Sequence, residues 1–150
     1  MKRLLAALRS FYSYYRVPTV TCIANEVLNA IGAKLNWYGA EIKMLDKFYR
    51  VPSDAGFRNS IKGMWGHQRD YTAETYDCDN FATWFWAWAA GLGMTSVGMV
   101  LDDSGQHAYN VVVTYTGTEL EAHFVEPQTG EYVAIRRGKY QLTSALILVG

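Results

Sequence analysis

Apolar residues recur at spacings of three and four through Leu4, Leu5, Leu8, Phe11, Tyr12 and Tyr15, which predicts an amphipathic helix over residues 3–15. Val17-Pro18 should end it, because a residue before proline is pushed out of the helical region. Thr19 or Thr21 then caps a second predicted helix carrying Ile23, Val27, Leu28 and Ile31, with Cys22 in its first turn and Gly32 as its stop. Residues 34–50 follow neither period. Ser53-Asp54 open a further helix with Phe57 and Ile61 on one face, and the polar stretch from Gly63 to Thr75 reads as a loop. From Asp79 to Ala90 there is no proline or glycine, and Phe81, Trp84, Phe85 and Trp88 fall on one helical face. The other faces are mostly apolar too, so this segment is expected to be the central, buried helix, with Asp77 or Thr75 as its cap and Cys78 in its first turn.

Beyond Gly93 the texture changes to strands. Val97–Leu101, His107–Tyr115, Glu119–Val125 and Tyr132–Arg136 are rich in β-branched and aromatic residues, and Asp102–Gly105, Thr116–Thr118 and Gln128–Gly130 between them carry turn chemistry. Leu142–Val149 closes the chain as a strand or short helix. Short connections imply antiparallel neighbours, so the expected class is α+β: N-terminal helices, with a central helix carrying the cysteine packed on an antiparallel sheet.

Composition narrows the partners. The 150 residues suit a single domain, 1–150, and half of them are apolar, which argues against disorder. Lys+Arg and Asp+Glu both number 14, so the basic surplus of a nucleic-acid binder is missing. Cys22 and Cys78 form one disulfide at most, which fits a reducing compartment. Lys2-Arg3 ahead of Leu4–Leu8 resembles an export signal, but Arg9 interrupts an apolar run that is already short. The aromatic run at Phe81–Ala90 is about half as long as a membrane span requires. The expectation is a soluble chain, cytoplasmic or virion-associated, with no membrane or nucleic-acid partner and no sign of its oligomeric state.

Candidate chemistry gathers at three polar islands. Cys78 stands at a predicted helix N-terminus, where partial positive charge and free N–H groups favour a thiolate and can hold a developing oxyanion. Asp77, Asp79 and Asn80 surround it, company that a packing cysteine does not need. His107 opens a strand after an Asp-Asp-Ser-Gly-Gln turn and would act as general base. His67 and His123 are weaker candidates. Glu126 shares a face with Leu120, Ala122 and Phe124, and an inward carboxylate at a strand end needs a partner such as a histidine N–H. Gln128 competes for that orienting role. Trp65, Tyr71 and Tyr76, together with the 63–75 loop, are expected to wall the cleft.

Cys78-Asp79-Asn80-Phe81-Ala82, His107-Ala108-Tyr109-Asn110 and Glu126-Pro127-Gln128 together resemble the active-site segments of papain-like cysteine proteases. The nearest pattern is the protease domain of the Marasmius oreades agglutinin and its relatives, with the transglutaminase-like cysteine proteases behind it. The resemblance covers about residues 45–135. It implies a papain-like fold and a Cys78–His107–Glu126 triad cleaving a peptide or protein amide through an acyl-enzyme. It also implies calcium, for which Asp79 and Asn80, and less directly Asp77, Asp102 and Asp103, supply oxygen, without an EF-hand spacing. The agglutinin's sugar-binding domain has no counterpart, so lectin activity is not expected to carry over. The oxyanion glutamine usual before the cysteine is also missing, with Tyr71 and Thr72 in that neighbourhood. Two other readings stand beside this one: a CHAP-type peptidoglycan amidase or endopeptidase, and a non-catalytic binding or virion-assembly module on the same fold.

Overall fold

The computed structural model describes residues 17–62, 64 and 70–150. The helix expected over residues 3–15 lies outside them. The segment expected to start a helix at Thr19 is instead strand β1 (Thr19–Ile23), and helix α1 runs over Ala24–Leu35. The β-branched run Thr19-Val20-Thr21 pairs antiparallel with β3 (Phe48–Pro52), Cys22 opposite Tyr49, so a tertiary partner overrides the local helical spacing. Glu26 caps α1 by accepting the Ile23 N–H at 2.8 Å. Gly32 does not stop the helix. It makes room for the Trp37 ring, while Asn36, at φ 51°, turns the chain out.

The unassigned stretch 34–50 yields two strands, β2 (Ala40–Met44) and β3. Helix α2 (Asp54–Ile61) starts where Ser53 predicts, with Ser53 Oγ accepting the Gly56 N–H at 3.1 Å. Helix α3 spans Cys78–Gly91. It is less enclosed than its sequence suggests: Phe81, Ala82, Phe85 and Ala89 are buried, while Thr83, Ala87 and Ala90 are exposed. Then follow β4 (Val97–Asp102), β5 (His107–Tyr115), β6 (Leu120–Val125), β7 (Tyr132–Val133) and β8 (Ala145–Val149).

Six of the strands form one mixed sheet in the order β2-β8-β4-β5-β6-β7, and β1 with β3 form a second sheet. The pair β2–β8 is parallel and the other neighbours in the large sheet are antiparallel. The expected papain-like α+β arrangement, N-terminal helices ahead of an antiparallel sheet, is therefore corrected: the chain is mostly sheet, with strands contributed from both ends. Its β2–β8 pair joins segments about a hundred residues apart, which no local pattern encodes.

Alternation along β5 divides the core. Tyr109, Val111 and Val113 join Val27, Ile31 and Leu35 of α1 in one cluster, and Val112 joins Phe57 of α2 and Phe85 of α3 in another. Helices thus cover both faces of the sheet at β5, which gives this central strand its two apolar sides. Asn110, fully buried, donates to the Ala82 and Gly98 carbonyls at 3.0 Å each and so fixes the first turns of α3 against β4 and β5. Among the described residues no helix is long and apolar enough to cross a membrane.

Candidate functional site

His107 is the first residue of β5 and pairs across the hairpin with Asp102, the last of β4. Glu126 follows β6 at the start of a tight turn, where its carbonyl accepts the Thr129 and Gly130 N–H groups at 3.2 and 2.8 Å. The antiparallel register of β5 and β6 brings the two side chains together. His107 Nε2 lies 2.9 Å from Glu126 Oε2, and both side chains are almost fully buried.

The same carboxylate oxygen accepts from Lys139 Nζ at 2.7 Å and from the Tyr140 hydroxyl at 2.7 Å, and Oε1 takes the Gln128 backbone N–H at 3.3 Å. Burial works against ionisation of Glu126. The hydrogen bonds from His107, Lys139 and Tyr140, with the Lys139 charge, outweigh it and hold the carboxyl down to about 2. An ionised carboxylate only accepts, so the proton of the His107 contact sits on Nε2, and in the neutral ring Nδ1 is the acceptor. The Tyr140 hydroxyl is pushed well above the usual tyrosine range by burial and by its bond to Glu126.

Rings lock the group in place. His107 stacks near Tyr109 at 5.7 Å and meets Tyr140 edge-on at 5.6 Å, and Tyr109 and Tyr140 form a T at 5.1 Å. Tyr109 donates to Asp102 Oδ2 at 3.2 Å, an oxygen that also accepts the Leu142 N–H at 2.9 Å. Asp102 Oδ1 takes the Ser104 hydroxyl at 2.6 Å and the Gly105 N–H at 3.0 Å. Gly105 packs so closely on the Lys139 carbonyl that a Cβ there would collide with it. The β4–β5 hairpin and the β7–β8 connection that supplies Lys139 and Tyr140 thus brace each other.

Cys78 stands on another element. It opens α3 and packs, partly buried, on the cluster of Ala82, Met99 and Ala108. Ala108 follows His107 in β5, but neighbours in a strand point to opposite faces, and the His107 ring lies with Tyr109 and Tyr140. Among the described residues no hydrogen bond joins Cys78 to His107 or Glu126. The structure joins His107 to Glu126 by a hydrogen bond and seats Cys78 at the start of α3 against Ala108, the residue after His107.

Tyr71 and Tyr76 flank α3 through Phe81, Tyr71 stacked parallel at 6.5 Å and Tyr76 edge-on at 4.8 Å. Trp65 and His67 lie outside the described residues. Gln128 serves Glu126 with its backbone and not its side chain. Asp79 Oδ1 accepts the Asn80 N–H at 2.9 Å and Asn80 Oδ1 accepts the Asp77 N–H at 3.2 Å, so both expected calcium ligands are turned onto the helix start. Among the described residues no group of three or more His, Cys, Asp or Glu side chains gathers about one point. Lys139 and Tyr140 were not legible as site residues. The only sequence signal near them is the polar turn Arg136-Arg137-Gly138, which predicts a surface loop and nothing more.

No family model matches the sequence. No curated protein matches it. Among solved structures, the fold is similar to that of PSL1a in its complex with E64, at a TM-score of 0.61 and 24% identity over 87% of this chain and 52% of that one. It is likewise similar to Polyporus squamosus lectin bound to the human-type influenza-binding epitope Neu5Aca2-6Galb1-4GlcNAc, at a TM-score of 0.61 and 23% identity over 86% of this chain and 50% of that one. The chain thus spans about half the length of these proteins. The expected family, a papain-like cysteine hydrolase acting on peptide or peptidoglycan, is corrected on this finding: the fold of the chain is one found in the solved structures of a lectin, and the papain-like protease assignment is withdrawn.

Proposed function

We propose that the chain is a non-catalytic binding module whose ligand is carbohydrate, held at the Glu126 cluster. The observation that carries this reading is the convergence of His107, Lys139 and Tyr140 on one buried, ionised carboxylate, with the Lys139 side chain still about half exposed. A glycan site needs fixed donors and acceptors beside ring surfaces, because hydroxyls are discriminated by hydrogen-bond geometry and sugar C–H faces pack on aromatics. Here the donors are held in place before any ligand arrives, and Tyr140 supplies a ring edge. The lectin structures that share the fold support the choice of carbohydrate. Since the chain spans half of their length, binding has to be measured on this chain alone.

The test is calorimetric titration with Neu5Aca2-6Galb1-4GlcNAc and with its unsialylated disaccharide, run beside a casein-cleavage assay. Binding is expected for at least one glycan. Glu126→Gln should weaken it by about tenfold or more, since the donor array loses its anchor. Cys78→Ala should leave it within about twofold, the thiol taking no part in the array. Failure of every glycan to bind at millimolar concentration, or casein cleavage that disappears in Cys78→Ala, would overturn the reading.

A further inference from the structure

The turn that carries Glu126 has a second side. Thr129 and Gly130 line a concave pocket of about 530 Å³ whose opposite wall is α2, with Asp54, Arg58, Asn59 and Lys62. That volume lies in the range of small-molecule sites. Asp54, Arg58 and Lys62 are spaced four apart, so one helical face presents them in line.

Arg58 is held before any ligand arrives. Its Nε donates to Asp54 Oδ2 at 3.0 Å, and its Cζ lies 4.0 Å from the Tyr132 ring centre. The other Asp54 oxygen takes the Tyr132 hydroxyl at 2.6 Å. Burial opposes ionisation of Asp54, but the bonds from Tyr132 and Arg58 and the Arg58 charge outweigh it and hold the carboxyl below its usual range. Both carboxylate oxygens are therefore already engaged. The terminal nitrogens of Arg58 have no hydrogen-bond partner among the described residues, and half of the side chain is exposed. Lys62 Nζ is tethered to Asn59 Oδ1 at 3.1 Å. Tyr132 is itself fixed by stacking on His123, ring centres 4.3 Å apart.

We propose that this pocket binds an oxyanion, specifically a phosphate or sulfate monoester, with the Arg58 fork as its principal contact and Lys62 as the second cation. A guanidinium whose Nε is anchored and whose Cζ sits over an aromatic ring has lost most of its rotamer freedom, so its two free nitrogens meet a bidentate acceptor at little further entropic cost. Thr129 lines the other wall, its hydroxyl oxygen accepting the Glu131 N–H at 3.3 Å and its O–H left to donate. Donors on two walls suit a tetrahedral group better than a planar carboxylate. The proposal does not rest on the carbohydrate reading, since the pocket is lined by α2 and the far part of the turn.

The experiment titrates the whole chain with sulfate, inorganic phosphate, glucose 6-phosphate and glucose, following the Arg58 side-chain N–H signals by NMR and the heat by calorimetry. Glucose 6-phosphate should bind with a dissociation constant on the order of 1 mM or tighter, with Arg58 signals shifting in step, and glucose should not bind. Arg58→Ala should weaken binding about tenfold, and Arg58→Lys about fivefold, because charge without the fork is a partial replacement. Lys62→Ala, at an exposed position, should lose about threefold and serves as the second readout should Arg58→Ala prove unstable. No saturable Arg58 shift with any anion up to about 20 mM, unchanged affinity in both alanine variants, or glucose binding as well as its phosphate would each overturn the proposal.

Discussion

Two buried carboxylates stand on the large sheet, Asp102 at the end of β4 and Glu126 just past β6, and they are served by different kinds of donor. Asp102 is held by neutral groups: the Ser104 and Tyr109 hydroxyls and the Gly105 and Leu142 backbone N–H groups. Leu142 is forty residues away, so the carboxylate closes a long loop onto the sheet. Glu126 instead draws a histidine, a tyrosine hydroxyl and a lysine whose side chain remains about half exposed. One carboxylate is walled in by backbone and ties the fold together. The other keeps a charged partner at the surface, where a ligand can compete for it. Burial of an acid therefore does not identify a site. What its donors touch on their far side does.

Removing Asp102 should have the largest effect. In Asp102→Asn the amide presents one acceptor and one donor, so two of the four donors now met by the carboxylate oxygens face an N–H group or nothing. Each buried donor left unpaired costs about 1–3 kcal/mol, so a loss of about 3 kcal/mol or more is expected, against a total of about 5–15 for a domain of ordinary stability. Urea denaturation followed by tryptophan fluorescence measures it. A loss under about 1 kcal/mol would erase the distinction between the two acids.

These two carboxylates were unequally legible. Glu126 was visible in the sequence because it shares a strand face with Ala122 and Phe124, and its histidine partner opens the preceding strand, so hairpin register alone joins them. Asp102 reads from the sequence as turn chemistry and as a candidate calcium oxygen, not as a buried tie, because its Leu142 partner comes from a segment with no marker. Lys139 and Tyr140 were hidden for the same reason: their approach to Glu126 depends on the path of the chain between β7 and β8. The helices at Asp54 and Cys78 follow from local caps and apolar spacing. β1 and β2 do not, since their pairings with β3 and β8 override or supply what their own sequence lacks. The His107–Glu126 contact depends on register, since a shift of one residue in either strand would turn one of the two side chains to the other face.

The pH dependence of stability sharpens the contrast at Glu126. Its folded pKa, about 2, lies below the ordinary 4.5, so the carboxylate stabilises the fold above pH 4.5 and the benefit is lost as pH falls from 4.5 towards 2. With screening through the half-exposed Lys139, the contribution is on the order of 2 kcal/mol. Unfolding midpoints measured between pH 6 and pH 2 should fall steeply below 4.5 in the native chain. Glu126→Gln should be less stable at pH 6 and should show a shallower fall, since the variant has no proton to take up there. Parallel curves for the two proteins would mean that another carboxylate sets the acid limb.

Lys139→Ala should give the smallest effect and the most specific one. The exposed half of the lysine is screened by water, so the loss at neutral pH is expected to be under about 1 kcal/mol. Glu126 keeps His107 and Tyr140 as donors, yet it loses a hydrogen bond and a positive charge that both lower its pKa. The acid limb should therefore move to higher pH by less than about one unit, without the flattening expected of Glu126→Gln. Raising the salt concentration to about 0.5 M should reproduce part of that shift in the native chain and add little in the variant, because the screened interaction is already gone. Equal salt sensitivity in both would show that the Lys139 charge does not reach the carboxylate in solution. The open side of the Glu126 cluster, which distinguishes it from Asp102, would then lack its charged partner.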